Sequence, residues 1–119
     1  MVQQGQLIIK NHNLGLALQN MNKQQEAIEC FDKAIAINPN NDNAWNNKGF
    51  ALHNLQQYNY AILCYDQALY LQITSSRLRN KADSLFQFGK KSEAKQFYQA
   101  ALEKGSNEKT YIQSQLSQL

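Results

Sequence analysis

Trp45 to Ala68 reads WNNKGFALHNLQQYNYAILCYDQA, and within it Gly49, Ala61, Tyr65 and Ala68 are separated by 12, 4 and 3 residues. The same order and the same steps occur twice more. They recur as Gly15, Ala27, Phe31 and Ala34, and as Ala82, Ala94, Tyr98 and Ala101, with copies starting 34 and then 33 residues apart. A fixed period of this size marks stacked repeats rather than one globular core. The pattern therefore points to a binding scaffold and away from an enzyme.

Each copy reads as two helices. In the middle copy Trp45, Gly49, Leu52 and Leu55 recur at helical spacing, Gln56-Gln57 interrupts, and Ala61, Tyr65, Ala68 and Leu69 then share a face. The matching breaks are Met21–Lys23 in the first copy and Gly89-Lys90 in the third, where Gly suits a helix C-terminus. Between copies, Asn38-Pro39-Asn40-Asn41-Asp42 combines breaker and capping chemistry. The second junction, Thr74-Ser75-Ser76, lacks the proline and relies on hydroxyl caps. The residues at the small positions let two helices approach closely, with the aromatic filling the gap between them.

Composition narrows the function classes. At 119 residues and 43% hydrophobic content, the chain is one domain with enough apolar material for a core. No apolar run approaches the roughly 20 residues of a membrane helix. No basic start followed by an apolar stretch occurs in Met1–Leu7, and there is no Asn-x-Ser/Thr acceptor, so a cytoplasmic location is the expectation. The net charge of +3 is modest and its lysines are scattered, unlike the clustered basic face of a nucleic-acid binder. The polar surface is instead rich in amides, with 14 Asn and 16 Gln. Cys30 and Cys64 occupy equivalent places in consecutive copies. Equivalent helices stack about 8–10 Å apart, beyond disulfide reach, so two reduced and buried thiols are expected.

The concordant small and aromatic positions, with Trp45 in the middle copy and Pro39 after the first, resemble the tetratricopeptide repeat, a 34-residue helix–turn–helix unit. The third copy departs from that pattern, with Leu78 for Trp, Ala82 for Gly and Ser106 for Pro. The resemblance implies an all-α, right-handed α-solenoid forming one domain over residues 1–119. Its repeats span about 8–41, 42–74 and 75–108. Tyr111, Ile112, Leu116 and Leu119 then share one face of a capping helix expected over about 107–119, starting near Ser106 or Asn107. Such a lid solvates a terminal repeat that would otherwise expose an apolar face.

The resemblance also implies that the first helix of each repeat lines a concave groove. One groove position is Asn13, Asn47 and Asn80 in the three repeats. An Asn amide both donates to and accepts from a peptide unit, so it clamps a backbone without reading side chains. The arrangement is similar in groove chemistry to the asparagine ladder of the O-GlcNAc transferase superhelix. Leu16 and Phe50 are candidate side-chain pockets, His12 and His53 line the same face, and Phe86 belongs either to the groove or to the cap. Arg79 is the candidate for meeting an acidic group, whereas Arg77 and Lys81 are expected on a solvated face. The basic clamp by which some members hold a chaperone's terminal carboxylate is matched here only at Asn47.

No Ser/His/Asp arrangement, phosphate-cradling loop or metal-ligand spacing stands out, so no catalytic residue, cofactor or metal is expected. The expected partner is a protein or peptide, with no nucleic acid and no membrane. Self-association through Ile8, Ile9 and the Met1–Leu7 segment is the rival reading, as is a role as the repeat part of a larger assembly.

Overall fold

The computed structural model describes residues 3–119, which form seven α-helices and no strand. They are α1 (Gln4–Asn20), α2 (Gln24–Ile37), α3 (Asp42–Asn54), α4 (Tyr58–Leu71), α5 (Ser75–Gln87), α6 (Lys91–Glu103) and α7 (Lys109–Leu116). Every helix packs mainly on its neighbours in sequence, giving a body of 53 × 25 × 21 Å. This is an all-α solenoid of helix–turn–helix units. α1 also touches α3, and α3 touches α5, while α2, α4 and α6 make no comparable contact with one another. The odd-numbered helices therefore line the inner side of the stack and the even-numbered ones the outer side.

The spacing of small residues explains how each pair closes. A Cβ added at Gly15 would sit 2.6 Å from Phe31 Cε1, and one at Gly49 would sit 2.7 Å from Tyr65 Cε1. Both contacts are too short to exist, so the rings lie directly on bare backbone. Ala27, Ala34, Ala61, Ala68, Ala94 and Ala101 are fully buried around Phe31, Tyr65 and Tyr98. Burying each such ring stabilises the fold by about 1.5–3 kcal/mol, which makes the three aromatics the anchors of the three units.

The turn inside each unit is also set at one register. Asn22 (φ 60°), Gln56 (φ 62°) and Gly89 (φ 89°) all adopt the left-handed conformation. In each case the next residue's N–H closes the preceding helix, as with Lys23 to Leu18 O (2.8 Å), Gln57 to Leu52 O (2.9 Å) and Lys90 to Leu85 O (2.9 Å). Gly and Asn tolerate this conformation, whereas Gln56 adopts it at a cost of about 1–2 kcal/mol. Between units, Asn41 Oδ1 accepts from Ala44 N (3.1 Å) and Thr74 Oγ1 from Arg77 N (3.2 Å), capping α3 and α5. The Trp45 indole donates to Pro39 O at 2.8 Å and ties the first junction down.

Two boundaries differ from expectation. α1 begins at Gln4, a full turn ahead of the repeat register. α7 begins at Lys109 rather than at Ser106 or Asn107, because Ser106 Oγ accepts from Glu108 N (3.1 Å) and holds those residues in a turn. In α7, Ile112 is fully buried against Leu78, Leu85 and Tyr98, and Leu116 and Leu119 pack beside it. Phe86 joins this third-repeat cluster. Cys30 and Cys64 are free and buried. Burial in apolar surroundings pushes the Cys64 thiol up to about 11, with Lys48 opposing and Asp32 adding to the shift.

Candidate functional site, the inner face

At the α1 end of the inner face lies a concavity of about 240 Å³ lined by Ile8, Ile9, His12, Asn13, Asn41 and Asn43. Two of the expected groove residues, His12 and Asn13, thus meet two further amides and two aliphatic chains. Asn13 is exposed. Asn47 is half-buried, and its Nδ2 lies 3.5 Å from His12 Nε2 on α1. Asn80 is only 8% exposed, and its Nδ2 donates to Asn46 Oδ1 at 3.2 Å. Two of the three equivalent amides thus reach back across a repeat junction. Leu16 is half-buried, and Phe50 is 41% exposed.

The two histidines find different partners. His12 stands edge-on to Phe31, with ring centroids 6.0 Å apart. His53 Nδ1 lies 2.8 Å from Ser84 Oγ and its ring packs edge-on to Tyr58. Burial lowers the His53 pKa below its ordinary value, with Asp83 opposing the shift and Arg79 reinforcing it. His53 is therefore a neutral seam residue between α3 and α5. Among the described residues no three His, Cys, Asp or Glu side chains cluster closely enough to hold a metal ion.

The three cations of α5, Arg77, Arg79 and Lys81, each hold carboxylates of the chain itself. Arg79 Nη1 pairs with Asp83 Oδ2 (2.9 Å), and Nη2 with Glu108 Oε2 (3.0 Å), just before α7. Asp83 also accepts from Tyr98 Oη and, at 2.8 Å, from Tyr111 Oη. Burial, and the hydrogen bond to Asp83, push the Tyr111 phenol up to about 12. The same causes raise Tyr98 further. Both phenols stay protonated, so both remain donors to the carboxylate. Asp83 thereby joins α5, α6 and α7.

Arg77 and Lys81 correct the expectation of a solvated face. Arg77 is buried, with Asp42 Oδ2 and Gln72 O at 2.8 Å from Nη1 and Asn43 Oδ1 at 2.8 Å from Nη2. Its guanidinium bridges α3, α4 and α5, and full pairing offsets the cost of burying the charge. Lys81 pairs with Asp66 and lies 4.0 Å from the Phe97 ring centroid. Sequence spacing hid both roles because their carboxylate partners, Asp42 and Asp66, come from the neighbouring repeat, 35 and 15 residues back. A faint signal was present: Arg77 lies 34 residues from Asn43, one repeat length.

Three family models described as tetratricopeptide repeat match residues 12–41, 30–62 and 80–103. The chain belongs to the tetratricopeptide repeat family. Among solved structures it is similar to the second such domain of the human RPAP3 protein, in complex with the HSP70 peptide SGPTIEEVD. That likeness has 25% identity and a TM-score of 0.87, and covers 98% of this chain and 97% of that one. It is also similar in fold to the Yersinia enterocolitica type III secretion chaperone SycD in complex with a peptide of the translocator YopD. There the identity is 20% and the TM-score 0.86, covering 91% of this chain and 88% of that chain. No curated protein sequence matches the chain. Among the described residues of this repeat protein no helix is long and apolar enough to cross a membrane.

Proposed function

We propose that the chain is a non-catalytic, cytoplasmic adaptor that holds an extended peptide segment against the inner face of its repeats. The observation that carries this reading is the cavity at the α1 end. There Asn13, Asn41 and Asn43 crowd around Ile8 and Ile9, a mixture suited to gripping backbone amides and one aliphatic side chain. Asn47 continues the row, with Leu16 and Phe50 beside it, and His12 orients its amide. Asn80 and His53 act chiefly by holding the seam between the second and third repeats. Peptides bound to the human RPAP3 and SycD domains support peptide recognition as the general mode.

The peptide is uncharged or mildly basic rather than acidic. Arg77, Arg79 and Lys81, the cations of α5, already bind Asp42, Asp83 with Glu108, and Asp66. A terminal carboxylate meeting any of these three would have to displace a carboxylate of the chain itself. In this reading the domain is a monomer that binds neither nucleic acid nor membrane. The one observation favouring self-association is the exposure of Ile9 and Leu14 at the α1 end. Met1 and Val2, part of the segment expected to mediate it, lie outside the described residues.

The test compares partners recovered from the source cell by wild type and by an Asn13/Asn47/Asn80 triple alanine variant. For a recovered peptide, calorimetry is expected to show that Asn47→Ala weakens binding by about 0.5–3 kcal/mol. Unchanged affinity removes the amide reading. SGPTIEEVD serves as the acidic control, with an expected Kd weaker than about 1 mM.

A further inference from the structure

The larger concavity lies away from the inner face. It has a volume of about 420 Å³ between α3 and α4 and is lined by Trp45, Lys48, Leu52, Tyr60, Leu63 and Cys64. Tyr60 and Leu63 belong to an outer stripe of α4 that continues to Tyr70, and the three are 56%, 64% and 85% exposed. Their spacing of three and then seven residues keeps them on one helix face, with Leu63 and Tyr70 about 10 Å apart along it.

The other repeats act as internal controls for this stripe. At the registers of Tyr60, Leu63 and Tyr70, α2 carries Glu26, Glu29 and Ala36, and α6 carries Glu93, Gln96 and Glu103. Only the middle repeat replaces solvated side chains with large apolar ones. The replacement serves no packing purpose within the fold, since these side chains remain in solvent. The face around the stripe is acidic although the whole chain carries +3. Glu26, Glu29, Asp32, Asp66, Glu93 and Glu103 stand on it against Lys33 and Lys104, all exposed. Asp32 and Asp66 are paired with Lys48 and Lys81, whereas the four glutamates form no ion pair among the described residues. Lys95 sits at the register of Ile28 and Ile62, off this face.

We infer that the outer face of α4 is a second docking surface, for an amphipathic protein segment with large apolar side chains along one edge and lysines or arginines flanking them. The apolar edge covers Tyr60, Leu63 and Tyr70 and sets one side chain into the Trp45–Leu52–Cys64 concavity. The flanking cations meet the glutamates of α2 and α6. A second copy of the chain is a poor occupant, because two such faces would set acid against acid. The surface is separate from the inner-face reading and does not depend on it.

Trp45 is the sole tryptophan and lines the concavity, so its emission reports occupancy. The probe is a helical peptide with leucines at i, i+3, i+7 and i+10 flanked by lysines, and its twin has glutamates in their place. The lysine peptide is expected to titrate Trp45 saturably and the glutamate twin to bind at least about tenfold more weakly. Leu63→Glu, which installs the residue found at that register in α2, is expected to cost about tenfold or more while leaving the melting temperature unchanged. Asn47→Ala is expected to leave this titration unaltered. Equal binding of the twins, no binding of either, or full binding by Leu63→Glu overturns the proposal. So does a dimer in sedimentation that Leu63→Glu disperses, which would assign the face to a second copy.

Discussion

In α1 only Gly15 is buried, and Ile9 and Leu14 stay 62% and 47% exposed. In α5, which occupies the same place two repeats later, Arg77, Leu78, Asn80, Ala82, Ser84 and Leu85 are all buried. The repeat pattern is shared, so the difference comes from neighbours. α5 has a preceding repeat on one side and the turn leading into α7 on the other, while α1 has nothing before it within the described residues but its own extra turn. Polar residues follow the same logic. Asn13 is open to solvent, whereas Asn80 at the equivalent position is spent on Asn46. Position in the array, rather than residue type, decides whether an amide is available to a ligand.

The sharpest way to break this contrast is Asp83→Ala. It strips the carboxylate from Arg79, Tyr98 and Tyr111 together, leaving Arg79 to Glu108 alone and both phenols without their acceptor. The expected loss is about 1–3 kcal/mol in denaturant unfolding, with α7 released first. A loss below 1 kcal/mol would mean that Ile112 alone seats the helix. A smaller effect is expected from pH. The unfolded chain protonates His53 near 6.5, while burial holds the folded pKa lower. The stability from neutral His53 is therefore complete above pH 6.5 and is lost as pH falls through the folded value. Melting curves from pH 7.5 to 5 are expected to converge with those of His53→Gln as the pH drops, and parallel curves would contradict it. The smallest effect is expected at the open end. Ile9→Ser should change stability by no more than about 0.5 kcal/mol, and a larger drop in the melting point would mean that the α1 end is covered in solution.

The scaffold was legible in the sequence because its determinants are local. Gly49 and Tyr65 lie within one repeat and Asn41 and Ala44 only three residues apart, and their spacing alone specifies the contact. The groove was less legible. Arg77 reads as a surface cation until Asp42 and Asn43 are brought beside it by stacking, and Arg79 looks free until the turn before α7 delivers Glu108. Asp83 and Tyr111 lie 28 residues apart with no periodic relation, so nothing in the pattern announces their bond. The outer stripe is a different case. Tyr60, Leu63 and Tyr70 differ from Glu26, Glu29 and Ala36 in plain view, and comparing repeats at solvent-facing registers rather than conserved ones would have found them.

The packing of each helix mainly on its sequence neighbours also governs how the molecule comes apart. With few contacts linking distant stretches of chain, forming the fold demands little long-range loop closure, and rapid assembly is the expected consequence. Under tension applied at residues 3 and 119, such a stack yields by peeling rather than by shearing as a block. α1 and α7 lead from the two ends, each without a side-chain cap and with one buried residue, and the middle unit anchored by Tyr65 holds longest. The domain is in effect a zipper that opens from both ends, and its inner-face cavity lies beside one of them.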